Sequence, residues 1–327
     1  MSRSQRCLVL GSINCDEVFH LPHTIRPGET LSSTGISRCP GGKGANQAYA
    51  VAMAGGGVDM HGCIGVDGVW LRDFLGKAQI GVEGIRTVEN EVTGRAIILL
   101  ADDGENSIGK SLVVHRLTTV LSSGANAQCA SPSSLEGYSH ALFQNEIPLS
   151  STIACLHVAA PQHLVTVFNP SPVPAPEELR TFPWHCISWL IVNEGELFDL
   201  VSACAETNTP AYDGDGHSSI LDLHHAEGFD DIGIICTQGA RGILYFHPTL
   251  TAGKVLALPA AALEMALVDT TGAGDCFAGT FVAGLMRGEG LEDVLKVCLA
   301  ACAACVEAPG AMASYASWED IKRRSGL

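Results

Sequence analysis

The sequence predicts a three-layer α/β/α protein: a mainly parallel central sheet, helices on both of its faces, and a small β lid. Three observations carry this. Short apolar runs of strand length alternate with helix-length stretches along most of the chain. The runs are continuous hydrophobics, as at 189–192, the pattern of strands covered on both faces. Two stretches break the rhythm and carry strand-like residues without a helical period, as a lid would.

In chain order, the apolar run 7–11 is the first strand, ended by Gly11. The stretch of about 14–38 is polar, holds Pro22, Pro27 and Gly28, and is assigned to the lid. Residues 45–54 form an amphipathic helix, and Gly55, Gly56 and Gly57 read as its cap and turn. A strand at 59–64 and a helix at 71–78 follow. The β-branched stretch of about 93–126, with a strand at 96–100, is the second lid segment. Strands are expected at 141–144, 165–169, 187–193, 233–237 and 243–246. Helices are expected at 195–205, 276–286, 291–306 and 318–323. The Pro-rich stretch 169–183 reads as a loop over the sheet. No repeat or low-complexity linker divides the chain, so residues 1–327 read as one domain.

Composition narrows the function. With 19 basic against 35 acidic residues the formal charge is −16, and no basic stripe is visible, which argues against nucleic acid as a partner. An acidic protein can still hold phosphates locally, with backbone N–H groups or a metal. No run of 18 apolar residues appears, and the polar start carries no signal-peptide pattern, so no membrane partner is expected. The 13 cysteines lack zinc-like spacing and mostly sit in apolar runs. They read as reduced buried thiols of a cytoplasmic protein, with the nucleus left open. His224 and His225 have no third ligand at a convincing spacing.

The strongest chemical signal is Asp269-Thr270-Thr271-Gly272-Ala273-Gly274-Asp275 ahead of an apolar helix. Three small residues at a helix start leave N–H groups bare toward solvent, and the helix dipole adds positive potential there. Asp275 in that first turn would repel a resting phosphate, but it suits a base that takes a proton from an attacking hydroxyl. The plainer alternative is a capping aspartate worth about 1 kcal/mol. A second constellation joins Asn14 and Asp16, which follow the first strand, to Pro40-Gly41-Gly42-Lys43-Gly44-Ala45-Asn46-Gln47 at a helix start. Asn14, Asp16 and Asn46 suit bidentate bonding of vicinal hydroxyls, and the glycines would let a small polar ligand reach the backbone. Turn chemistry alone could also place these residues. The segment 104–111 fits GxxxxGKS letter for letter, ending in Lys110 and Ser111. Asp102, Asp103 and Glu105 put negative charge where phosphates would lie, and a β-branched stretch follows in place of the required helix, so the match reads as accidental.

Together, Gly41-Gly42-Lys43-Gly44-Ala45-Asn46-Gln47-Ala48 and the distal Asp269–Asp275 segment closely resemble the PfkB carbohydrate kinases. Pro27-Gly28-Glu29-Thr30, Gly104-Glu105-Asn106-Ser107-Ile108, Gln144-Asn145-Glu146, Asn193-Glu194-Gly195-Glu196 and Thr237-Gln238-Gly239-Ala240-Arg241-Gly242 fall in the family's order over nearly the whole chain. The resemblance implies ATP-dependent phosphorylation of D-ribose at O5; the alternatives are another small sugar or nucleoside as substrate, or a catalytically weak sugar-binding protein. By the resemblance, Asp275 is the base, and Gly272, Ala273 and Gly274 form the anion hole. Asn14, Asp16, Gly42, Lys43, Asn46 and Glu146 bind the sugar. Asn193, Thr237, Gly239, Gly242 and Gly274 match ATP-binding positions, and Glu196 matches the residue that organises Mg²⁺. Asp269, Thr271, Cys305, Ala308, Gly310 and Ser314 match a K⁺ site built largely of backbone carbonyls. The implied partners are the sugar and ATP, with a homodimer through the lid. One departure stands out. About a dozen extra residues, roughly 109–122, separate segments that otherwise run on as 104–108 and 123–126. They read either as an extended hairpin or as a retained intron.

Overall fold

The computed structural model of the chain describes residues 5–23, 25, 28–101, 118–205 and 216–326. Its first strand, β1 (Cys7–Leu10), leads directly into two lid strands, β2 (Asn14–Leu21) and β3 (Gly35–Gly41), and then into helix α1 (Lys43–Met53). Strand β4 (Val58–Gly65), helix α2 (Val69–Lys77) and strand β5 (Ile85–Val88) return the chain to the body. The lid is completed by β6 (Gly94–Ala101) and β7 (Thr118–Ser122). From there β8 (His140–Phe143), α3 (Leu149–Ala159), β9 (Val165–Phe168), α4 (Pro176–Thr181), β10 (Trp189–Asn193), α5 (Glu194–Cys204) and α6 (Gly216–His224) alternate. An antiparallel run of β11 (Gly233–Thr237), β12 (Ile243–Phe246) and β13 (Leu256–Leu258) precedes the closing helices α7 (Ala273–Arg287), α8 (Leu291–Val306) and α9 (Trp318–Ser325).

Among the described residues the central sheet has the order β13-β12-β11-β10-β9-β8-β1-β4-β5, parallel from β11 through β5. Alternation along each strand splits the core in two. Cys7, Val9, Trp189 and Ile191 pack toward α1, α2, α7, α8 and α9. Leu8, Leu10, Leu190 and Val192 pack toward α3 to α6. Strand β1 has β4 on one side and β8 on the other, so the chain order reverses there. In open α/β sheets a crevice for ligands forms at the carboxyl ends beside such a switch point. The lid is a second sheet, β3-β2-β6-β7, rooted in that crevice because β2 begins four residues after β1 ends.

Several expectations need correction. The 169–183 stretch is not all loop. Pro176 opens α4 at a position where its missing N–H costs nothing, Glu177 and Glu178 favour the first turn, and Glu178 accepts from Ala175 N–H. Helix α3 was not expected from its sequence, Leu-Ser-Ser-Thr-Ile-Ala-Cys-Leu-His-Val-Ala, because Ser, Thr and Ile are weak helix formers; packing of Cys155, Leu156 and Ala159 holds it. The suspected insertion, 109–122, is described only at its end. Its last five residues, Thr118–Ser122, are β7 and pair with Arg95–Leu99 of β6. Removing all of 109–122 would therefore strip the outer strand from the lid. Residues 109–117, with the GxxxxGKS match at 104–111, lie outside the described residues.

Candidate active site

The carboxyl ends of the parallel strands gather polar residues, several of them among those singled out above. Ser12 and Asn14 follow β1, Gln144 and Glu146 follow β8, Asn169 follows β9, and Asn193 and Thr237 end β10 and β11 side by side. Helices α1 and α7 meet over this edge. Both begin on a glycine with positive φ, Gly42 at 88° and Gly272 at 79°.

Asp275 is 6% exposed and belongs to the first turn of α7, but it is not the cap, which is Gly272. Its carboxylate faces α1 instead. Asn46 Nδ2 donates to Asp275 Oδ2 at 3.0 Å, and Gln47 Nε2 donates to Asp275 Oδ1 at 2.9 Å. The capping alternative is thereby set aside. The carboxylate is a buried acceptor held by two amides of α1.

The residues matched to sugar binding come together around it. Ser12 Oγ donates to Glu146 Oε2 at 2.6 Å and Lys43 N–H donates to the same oxygen at 3.0 Å, so Glu146 ties the start of α1 to β1 and β8. Asn126, from the second lid segment, donates to Asn14 Oδ1 at 2.7 Å and accepts from Ile13 N–H at 3.1 Å. A cavity of about 330 Å³ opens beside them, lined in part by Asn14, Asn126, Asn145 and Glu146. Burial, together with Glu146 and Asp275, pushes the Asp16 carboxyl up to about 7. Burial works to lower the Lys43 ammonium, but Asp275, Glu146 and Glu196 outweigh it and raise it. Asp16 Oδ1 and Asn46 Oδ1 are buried and have no hydrogen-bond partner, two unsatisfied acceptors.

Gly42 and Gly44 have a packing reason to be glycine. A Cβ on Gly44 would lie 2.6 Å from Ser12 N, and one on Gly42 would lie 2.8 Å from Asn14 N. They let the β1 loop approach the start of α1. Gly274 is the opposite case, with nothing within 4 Å of an added Cβ, so the first turn of α7 is open to a ligand. Tyr315 O–H donates to the Gly272 carbonyl at 2.9 Å and steadies that turn.

The positions matched to nucleotide binding are more dispersed. Asn193 and Glu196 are engaged in a reciprocal cap of α5: Glu196 N–H donates to Asn193 Oδ1, and Asn193 N–H donates to Glu196 Oε2, both at 2.9 Å. The Glu196 charge contributes to raising Lys43, and a carboxylate oxygen is a hard donor of the kind that fits Mg²⁺. Thr237 Oγ1 donates to the Val192 carbonyl at 3.3 Å, Gly239 is open around its missing Cβ, and Gly242 is buried. A Cβ on Gly242 would lie 2.1 Å from the Leu258 carbonyl, so packing against β13 already requires glycine there.

The residues matched to a monovalent cation also converge, beside the start of α7. Asp269 Oδ1 accepts from Thr271 N–H and Oδ2 from Gly310 N–H, each at 2.9 Å. Cys305 Sγ lies 3.2 Å from Ser314 Oγ, and Ala308 N–H donates to the Cys305 carbonyl at 3.2 Å. The carboxylate, carbonyls and hydroxyl of this group are hard donors, as K⁺ would need. Among the described residues no cluster of three or more His, Cys, Asp or Glu could hold a metal by itself.

Gln47, Gln144, Asn169, Ser12, Asn126 and Tyr315 had no assigned role in the sequence. The available signal was Gln47, a polar residue on the buried face of α1.

Residues 4–318 match the profile of the pfkB family carbohydrate kinases. The chain is 32% identical over 317 residues to a ribokinase of Haemophilus influenzae, covering 94% of each chain. It is 30% identical over 333 residues to a ribokinase of Schizosaccharomyces pombe, covering 96% of each. A crystal structure of ribokinase from Cryptococcus neoformans var. grubii in complex with ADP superimposes with a TM-score of 0.87 at 51% identity, covering 98% of this chain and 100% of that one.

Proposed function

The chain belongs to the pfkB family of carbohydrate kinases, and from that premise we propose that it is a ribokinase, moving the terminal phosphoryl group of ATP to the O5 hydroxyl of D-ribose. The observation that carries this reading is the Asn46–Asp275 bond. It sets a buried base against the sugar-binding residues, at the open start of a helix that can receive a phosphoryl group.

In this reading Asn14, Asp16, Lys43, Asn46 and Glu146 hold the sugar hydroxyls. Asp275 Oδ2 takes the O5 proton as O5 attacks phosphorus. The N–H groups of Gly272, Ala273 and Gly274 receive the charge that spreads over the phosphoryl oxygens. The lid shields the site from water, and catalysis is positioning plus electrostatic stabilisation. Glu196 would organise Mg²⁺, which neutralises phosphate charge when bound. The Asp269, Thr271, Cys305, Ala308, Gly310 and Ser314 group would hold K⁺, whose charge strengthens the field of the anion hole. Asn193, Thr237, Gly239 and Gly242 lie toward the nucleotide. Ile36 and Ile97 stand exposed on one lid face and support a homodimer through it. The 13 cysteines are free thiols, which supports a cytoplasmic location.

The test is ADP formation with ribose, other pentoses, hexoses and nucleosides, with and without K⁺. Ribose should give a kcat/KM at least about tenfold above any competitor, and K⁺ should raise kcat. A nucleoside preference, or no sugar-dependent ADP, would overturn the assignment.

The raised Asp16 carboxyl adds a pH dependence. Between its ordinary value of 3.8 and about 7 the folded chain holds a proton that the unfolded chain has released, so this group's contribution to stability falls as pH rises through that window. Sugar binding uses the ionised form as an acceptor. kcat/KM for the sugar should therefore drop as pH falls below about 7, approaching tenfold per unit. Asp16→Asn should lower kcat/KM and flatten that limb; an unchanged limb in the variant would assign it to another group.

A further inference from the structure

Behind Asp275 lies a chain of buried amides that the mechanism above does not use. Gln47 and Gln144 are 0% exposed and Asn169 is 9% exposed. Gln144 Nε2 donates to Gln47 Oε1 at 2.6 Å. Gln47 Nε2 donates both to Asp275 Oδ1 at 2.9 Å and to Asn169 Oδ1 at 3.1 Å. Asn169 Nδ2 in turn donates to the Ile191 carbonyl at 2.9 Å.

An amide can be turned over without changing its shape, so its direction is set by what it faces. Here the direction is forced from two ends. The Ile191 carbonyl can only accept, which turns Asn169 Oδ1 toward Gln47. An ionised Asp275 can only accept as well. Gln47 must then aim its amino group at both, because the reverse would set its oxygen against two acceptors. Gln144, left facing the Gln47 oxygen, has to donate. The result is a single polarity, Gln144 to Gln47 to Asp275, anchored in α1, α7, the ends of β8 and β9, and the middle of β10.

We propose that Gln47 is a positioning residue for the base: it holds Asp275 Oδ1 so that Oδ2, beside Asn46, is the oxygen presented to the sugar hydroxyl. Gln144 supports that direction by donating to Gln47 Oε1. This rests on the reading of Asp275 as the base. Gln47 itself does not touch substrate. Its loss leaves the sugar-binding groups in place and frees the carboxylate to rotate, so the effect falls on the chemical step. A displacement of about 1 Å at a reacting group can cost on the order of 10²-fold in rate.

The test compares Gln47→Met and Gln144→Met, which keep volume and remove hydrogen bonding, by steady-state kinetics and sugar calorimetry. Gln47→Met should lower kcat by about 30–100-fold with the sugar Kd and both KM values within about threefold of the parent. Gln144→Met should show the same split at about 5–10-fold. A kcat within about threefold of the parent in Gln47→Met, or a loss matched by weaker sugar binding, overturns the proposal. Should Gln47→Met fail to fold, Gln144→Met decides alone, and parental kcat there overturns it. Asp275→Asn run beside them separates the two readings. If it turns over normally the base assignment itself is wrong; if it is inactive while both Met variants are fast, only the positioning role fails.

Discussion

Replacing Asp275 by asparagine should lower turnover by about 10²–10⁴-fold while leaving sugar affinity largely intact. The substitution keeps the shape of a side chain that is 6% exposed, so no cavity opens. What it removes is the acceptor for the O5 proton. The new amide also meets a fixed environment, because Gln47 presents an N–H to one of its two terminal atoms and cannot be turned. The oxygen of the asparagine then sits where Oδ1 was, and its amino group takes the place of Oδ2, the atom assigned to the proton transfer, where Asn46 has to turn its amide over to accept from it. A donor stands where the base should be. Single-turnover rates with calorimetric sugar affinity decide it, and turnover within a few-fold of the parent would remove Asp275 from its role.

Much of this site was legible in the sequence because its chemistry sits in two short segments with unusual composition. The turn 269–275 and the start of α1 each combine glycines with polar residues ahead of an apolar helix, and the fold brings them together through the Asn46–Asp275 bond. Strands such as β11 and β12 and helix α8 were readable end to end, because their apolar patterns are set by burial that their own residues announce. Other features depend on partners far away in sequence. The close approaches at Gly42 and Gly44 answer to Ser12 and Asn14, and no local pattern announces them. Gln47, Gln144 and Asn169 become a relay only when the sheet edge aligns them. Strand β7, in the stretch the sequence reads as an extended hairpin or a retained intron, is visible only through its pairing with β6.

The glycine at the head of α7 should be as intolerant as the base. Gly272 has φ 79°, and a Cβ there would lie 2.6 Å from Ala311 Cβ, 2.8 Å from Ala311 Cα and 2.9 Å from the Tyr315 hydroxyl. A left-handed alanine costs roughly 1–2 kcal/mol by itself. The clash adds to it, because Ala311 offers a backbone atom that cannot swing away and Tyr315 is tied to the Gly272 carbonyl. The turn has to shift, and with it the N–H groups of Gly272, Ala273 and Gly274. Gly272→Ala should therefore lower kcat by about 10²-fold, as removal of an anion-hole donor does elsewhere. Sugar affinity should change little, because Asn14, Asp16, Asn46 and Glu146 stand on other elements. Gly274→Ala is the informative companion. Nothing lies within 4 Å of its added Cβ, so the unliganded protein should keep its thermal stability. If Gly274 faces the transferring phosphoryl, the methyl group occupies ligand space, and kcat should fall in a protein that is as stable as the parent. Melting temperatures and kcat of the two variants make the comparison. Parental turnover in Gly272→Ala would show that this turn does not hold the phosphoryl group.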